Sequence, residues 1–176
     1  MVLITIKSSD PVGKSFEVED SAALASQTIK HMIEDLEDPI REITIPEVTI
    51  TILAKVVDYL NMHDPDNVAR VGINCVNRFD TYFVRVYKNT LFDLIKAASF
   101  LCIKGMMDIT LDAVVEFTGS MSMDELREYF NVKEQLLDEE DIRLCLFHPR
   151  IEAFRVTAKI LIFGEGRKQW QGSTST

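Results

Sequence analysis

Between Thr90 and Phe117 the chain reads TLFDLIKAASFLCIKGMMDITLDAVVEF, and this stretch constrains the fold most, because its apolar residues cover more than one face of each helix they predict. In the first helix Leu91, Leu94, Ile95, Ala98 and Leu101 share a face, with Phe92 and Phe100 off it. In the second, Met107, Leu111, Val114 and Val115 make one face, while Met106, Ala113 and Phe117 make another roughly a quarter to a third of a turn away. So wide an apolar surface must lie deep inside a fold or face a partner. The break between the helices is expected near Cys102, a buried and inert thiol on this reading.

Upstream, the period changes. VLITIK and KSFEVE alternate apolar and polar residues around SSDPVG, which predicts a β-hairpin. SQTIKHMIEDL sets Ile29, Met32, Ile33 and Leu36 at helical spacing behind Ser26 as N-cap, and ends at Pro39. REITIPEV is a short strand stopped by Pro46, and TITILAKVVDYLNM a helix with Ile52, Leu53, Val56, Val57 and Leu60 on one face. The aperiodic HDPDNVARVGINCVN predicts a loop over 63–78. Downstream, Ser122 and Glu125 have capping-box spacing at the head of a helix through Leu126, Tyr129, Phe130 and Val132. LLDEEDIRLCLF predicts one more helix ending at Pro149, and FRVTAKILIF alternates as a strand does. The polar GSTST end is expected to be disordered.

At 176 residues, 47% apolar and 27% charged, the chain suits one globular domain with a helical extension. The net charge of -9 is uneven: from Arg143 onward six basic residues face Glu152 and Glu165, which leaves residues 1–142 at -13. So acidic a body is repelled by phosphate backbones and anionic lipid, which disfavours nucleic acid and membranes and favours proteins as partners. Cys75, Cys102 and Cys145 are odd in number and widely spaced, and MVLITIKSSD turns polar too early for a secretory signal, so a soluble intracellular protein with reduced thiols is expected.

No constellation with catalytic spacing stands out. SSDPVGKS ends like a phosphate-binding loop but lacks the glycine needed at Ser8, and it leads into a strand rather than a helix. His31, His63 and His148 do not combine with the cysteines at zinc-site spacing, so neither metal nor cofactor is expected. The acidic runs EDLED and DEED read as solvated helix ends. Met106, Met107, Met121 and Met123 suit either a core or a surface that accepts varied partners.

The succession IKSSDPVGKSFEVE, SQTIKHMIEDL, ITIPEVTITILAKVVDYLNMH, FDTYFVRV, TLFDLIKAASFLCIKGMMDIT and DELREYFNV resembles the S-phase kinase-associated protein one family, the adaptor of SCF ubiquitin ligases, over residues 2–142 and in a plant-type form. The resemblance implies an α+β fold: a BTB/POZ-like domain of small sheet and packed helices over 1–118, then a helical F-box-binding extension over 119–142, with 143–176 as an atypical tail. It implies a non-enzymatic adaptor of nucleus and cytoplasm, bridging F-box substrate receptors to the cullin scaffold. Carried over by position, Gly105, Met106, Met107, Thr110, Val114, Phe117, Leu126, Phe130 and Val132 would contact the F-box, and Ser99 and Phe100, where the family has Asn-Tyr, the cullin. A charge at Met106 or Val114 would then abolish F-box binding while sparing the fold.

The chain departs from the family pattern elsewhere too, beginning with a linker before Phe79 that is short and not especially acidic. Phe79-Asp80 stands for Trp-Asp, Met123 for a helix-opening proline, and from Arg143 the basic RLCLFHPRIEAFRVTAKILIF replaces an acidic helix that closes over the F-box. The alternative expectation is a BTB-like self-association module, a homodimer when no F-box is present.

Overall fold

The computed structural model describes residues 3–8, 14–35, 42–46 and 48–130. The predicted turn before Gly13, the stop at Pro39, the helix and strand beyond residue 131 and the polar terminus lie outside them. The chain divides into two units, Met1–Thr110 and Leu111–Thr176.

In the first unit, β1 (Leu3–Ser8) pairs antiparallel with β2 (Ser15–Glu19), with Ile4 opposite Val18 and Ile6 opposite Phe16. On its other side β1 pairs parallel with β3 (Glu42–Ile45), which sets Ile6 beside Ile43 and Ser8 beside Ile45. The sheet order is therefore β2-β1-β3. Period-two alternation sends Ile4, Ile6, Val18, Ile43 and Ile45 into the core, while Lys7 and Glu42 pair at 2.7 Å on the other face.

Helices cover the buried face. A four-residue helix that the sequence did not announce, α1 (Asp20–Ala23), follows β2 directly and buries Ala22 and Ala23. Next come α2 (Gln27–Glu34), then α3 (Ile50–Met62), which packs on β1, β2 and α6 (Lys88–Phe100). The predicted apolar face of α3 is buried, with Leu53, Val56 and Leu60 fully enclosed. Each such side chain contributes roughly 1.5–3 kcal/mol of burial.

The stretch 63–78 is helical, not a loop. Asp64 accepts from the N–H groups of Asp66 and Asn67, and Pro65 opens α4 (Pro65–Val71). Gly72, at φ 83°, ends α4 and starts α5 (Ile73–Phe83) in a conformation that glycine adopts without strain. α4 is short and buries no residue, and the part of α5 within 63–78 buries only Val76, so the stretch itself shows no clear apolar period. Inside α5's buried side, Phe79 and Phe83 pack at 5.5 Å, and His63 stacks on Tyr59 at 3.9 Å. The His63 ring donates from Nδ1 to the Tyr59 carbonyl and turns Nε2 to the Asp80 carboxylate, 3.2 and 3.3 Å from its two oxygens.

The α6 terminus is fixed from two directions. Cys102 takes φ 50°, its N–H donates to the Ser99 carbonyl, and the Ile103 N–H reaches back to Ala98, which is a Schellman closure with cysteine where glycine is usual. Ser26 caps α2 by accepting from the Ile29 N–H, and its hydroxyl donates to the Leu101 carbonyl. Thr28 donates to the carbonyl of Phe100. Cys102 is exposed, contrary to the buried thiol expected, because the left-handed turn swings it out of the helix pair.

From there α7 (Lys104–Thr118) runs across the division between the units. In the second unit α8 (Met123–Phe130) opens with the predicted capping box: Glu125 N–H donates to Ser122 Oγ, and the Glu125 carboxylate accepts from the Ser122 N–H at 2.7 Å.

Ser26→Ala removes a cap and orphans a buried carbonyl together, so it is expected to cost roughly 2–3 kcal/mol in urea denaturation. A second test uses pH. The Ser21 hydroxyl above all, with the Asn67 and Asp66 N–H groups, holds the Asp64 carboxyl below its usual range against the opposing effect of burial. Its stabilisation is complete above the unfolded-state value, about 3.9, and is lost as pH falls below it. Asp64→Asn is expected to cost about 1 kcal/mol at neutral pH. That gap from wild type should close on acidification in paired denaturation curves.

Candidate functional site

Among the described residues no group of three or more His, Cys, Asp or Glu side chains could hold a metal ion. His31 and Cys75 lie exposed on α2 and α5, His63 is engaged with Asp80, and His148 and Cys145 lie outside the described residues. Ser15, after Lys14, opens a strand as expected.

The candidate partner-binding residues fall on three helices. On α7, Met106, Thr110 and Val114 recur at one-turn intervals, and all three have 0% exposure. Met106 belongs to the first unit's core, and Met107 is half-buried against that core. Thr110 satisfies its own buried hydroxyl by donating to the carbonyls of Met106 at 2.8 Å and Met107 at 3.0 Å. A lysine at Met106 would bury an unpaired charge, so it would damage the fold, contrary to the expectation that such a change spares it. Gly105 is exposed, yet a Cβ there would sit 2.6 Å from the Tyr59 hydroxyl. Tyr59 is 4% exposed, and burial first, then the Asp80 and Asp108 carboxylates, hold its hydroxyl protonated far above the ordinary range.

In the second unit Phe117 is 61% exposed, and its ring meets Tyr129 of α8 with centroids 5.5 Å apart. Burial raises the Tyr129 hydroxyl above its usual value. Tyr129 was not among the residues carried over for the F-box; its helical spacing from Leu126 was the available signal, whereas its pairing with Phe117 is a tertiary fact. Leu126 and Phe130 occupy positions on α8, and Val132 lies outside the described residues. At the α6 terminus, Ser99 is exposed and Phe100 half-buried against the core, with both carbonyls used in the junction just described.

Phe117 of α7 thus offers an exposed aromatic ring beside Tyr129 of the capped helix α8, a feature suited to holding another protein. The Skp1 family, tetramerisation domain, matches residues 2–65. SKP1-like protein 3 and SKP1-like protein 4 of Arabidopsis thaliana are each 40% identical to the chain over 148 residues, covering 79% of it and 89% of the relative. SKP1-like protein 1 of Oryza sativa subsp. japonica is 38% identical over 156 residues, covering 79% of the chain and 88% of its own length.

The Tyr59 contact supplies a test of why position 105 is glycine. Alanine is ordinarily favoured in a helix by up to about 1 kcal/mol, but overpacking costs about 1–3 kcal/mol. Gly105→Ala is therefore expected to lower Tm. In a Tyr59→Phe background the nearest ring atom is 3.8 Å away, an ordinary contact, and the same change should no longer lower Tm.

Proposed function

The chain belongs to the Skp1 family, whose members are SCF adaptors rather than enzymes, and on that premise we propose that it bridges F-box receptors to a cullin scaffold without performing chemistry itself. Its contribution to ubiquitination on this reading is effective concentration: the substrate is held where the conjugating machinery acts. The observation that carries the reading is the Phe117–Tyr129 ring pair, apolar surface left open on the second unit. Gly105, Met107, Phe117, Leu126, Phe130 and Val132 are each proposed to contact the F-box; of these Gly105 and Phe117 are exposed and Met107 is half-buried. Met106, Thr110 and Val114, also carried over as F-box contacts, lie enclosed on α7. Ser99 and Phe100 face the cullin, and nucleus and cytoplasm are the proposed compartments.

A second reading, self-association, is favoured by the description of the matching domain as a tetramerisation domain. The homodimer it predicts would dissociate when an F-box fragment is added.

Titration calorimetry with an F-box fragment tests the first reading. The full chain should bind, and Phe117→Ala should weaken binding about tenfold with little change in Tm, as loss of an aromatic anchor does. A chain ending at Ile142 shows whether the unfamiliar tail contributes. Absence of binding by the full chain, together with a concentration-dependent dimer in sedimentation, would replace the adaptor reading with the second.

A further inference from the structure

The outer face of α5 has a character unlike the rest of the body. Asn74, Arg78 and Tyr82 follow one another at one-turn intervals, all exposed, opposite the side that buries Val76 and Phe83. Just beyond the helix, the Arg85 N–H donates to the Tyr82 carbonyl, and its guanidinium lies over the Tyr82 ring, 5.6 Å from the centroid. Tyr82 is 64% exposed and Tyr87 90% exposed. Neither Arg78 nor Arg85 has a carboxylate partner among the described residues; the α5 carboxylate, Asp80, turns the other way, to His63. In a body that carries -13 over residues 1–142, two unneutralised arginines flanking exposed Tyr82, with exposed Tyr87 two residues beyond Arg85 in sequence, form a local reversal of sign.

We propose that Arg78, Tyr82, Arg85 and Tyr87 dock a short acidic peptide segment of another protein. The stacking of Arg85 on Tyr82 fixes the guanidinium, so less side-chain freedom is lost when a carboxylate binds it. Arg78 and Tyr82, a helical turn apart, are separated by about 5–6 Å, and alternate side chains of an extended segment by about 7 Å. A carboxylate over Arg78 and an apolar side chain over Tyr82 can therefore come from one edge of the same peptide. Nucleic acid fits worse, because its continuous phosphate charge would meet the acidic body around the patch. A second copy fits worse too, since four residues fall well short of the roughly 800 Å² per partner of a stable interface. The proposal is independent of the F-box reading.

The test is fluorescence anisotropy of the full chain with a labelled peptide repeating Glu-Ser-Leu-Ser, which sets Glu and Leu on one edge when extended, and with its Gln-for-Glu counterpart, at low and high salt. The Glu peptide should bind and lose affinity with salt, and the Gln peptide, Arg78→Glu and Arg85→Glu should each weaken binding about tenfold. Both substitutions are at exposed positions, so the circular dichroism spectrum and F-box titration should stay at wild-type values. Equal binding of the two peptides, binding indifferent to both substitutions, or no binding would overturn the proposal. So would tighter binding of an oligothymidylate, or a homodimer that Arg78→Glu disperses.

Discussion

The Ser26 hydroxyl is the hinge pin of the first unit. It accepts from the Ile29 N–H at the head of α2 and donates to the Leu101 carbonyl, 75 residues away in sequence, where α6 hands over to α7. One oxygen thus starts a helix that packs near β3 and holds the point from which α7 departs. Thr28, the second residue of α2, repeats the link at Phe100. The fully enclosed Ile29, Leu94 and Leu101 exclude water from this region, which makes unmet hydrogen bonds there expensive.

Local signals made much of this architecture legible. Alternation marked β1, β2 and β3, Ser26 and the Ser122–Glu125 pair marked two helix starts, and the one-sided apolar spacing of α3 matched its buried face. What failed was reading that depends on tertiary surroundings. Residues 63–78 looked like a loop because α4 buries no residue, the stretch holds only the first half of α5 with Val76 as its one buried apolar residue, and the punctuation, Pro65 and Gly72, serves equally for loops and for helix ends. Cys102 was expected inside because its neighbours are apolar, but a residue in the left-handed turn of a Schellman closure points away from the helix it ends. The family resemblance named candidate residues that composition could not, and the structure then separates Met106, Thr110 and Val114, which are enclosed, from Phe117, which is open.

That separation bears on how an apolar surplus becomes useful. A wide greasy helix would be a liability if all of it faced water. Here α7 buries three residues at successive turns and presents an aromatic near its end, where α8 supplies a second ring. Phe117 is open and its ring is rigid, and such a ring loses little freedom on contact with a partner.

The closeness of Tyr59 and Gly105 also shapes the mutational history open to such a chain. With the Tyr59 hydroxyl 2.6 Å from where a Cβ would stand, every side chain larger than hydrogen is disfavoured at 105 until position 59 has changed. Lineages that lose the hydroxyl first can then explore position 105, whereas those that begin at 105 pass through a strained intermediate. The two sites, 46 positions apart, are thus ordered in time, and a glycine on an open surface can persist for the sake of a neighbour beneath it.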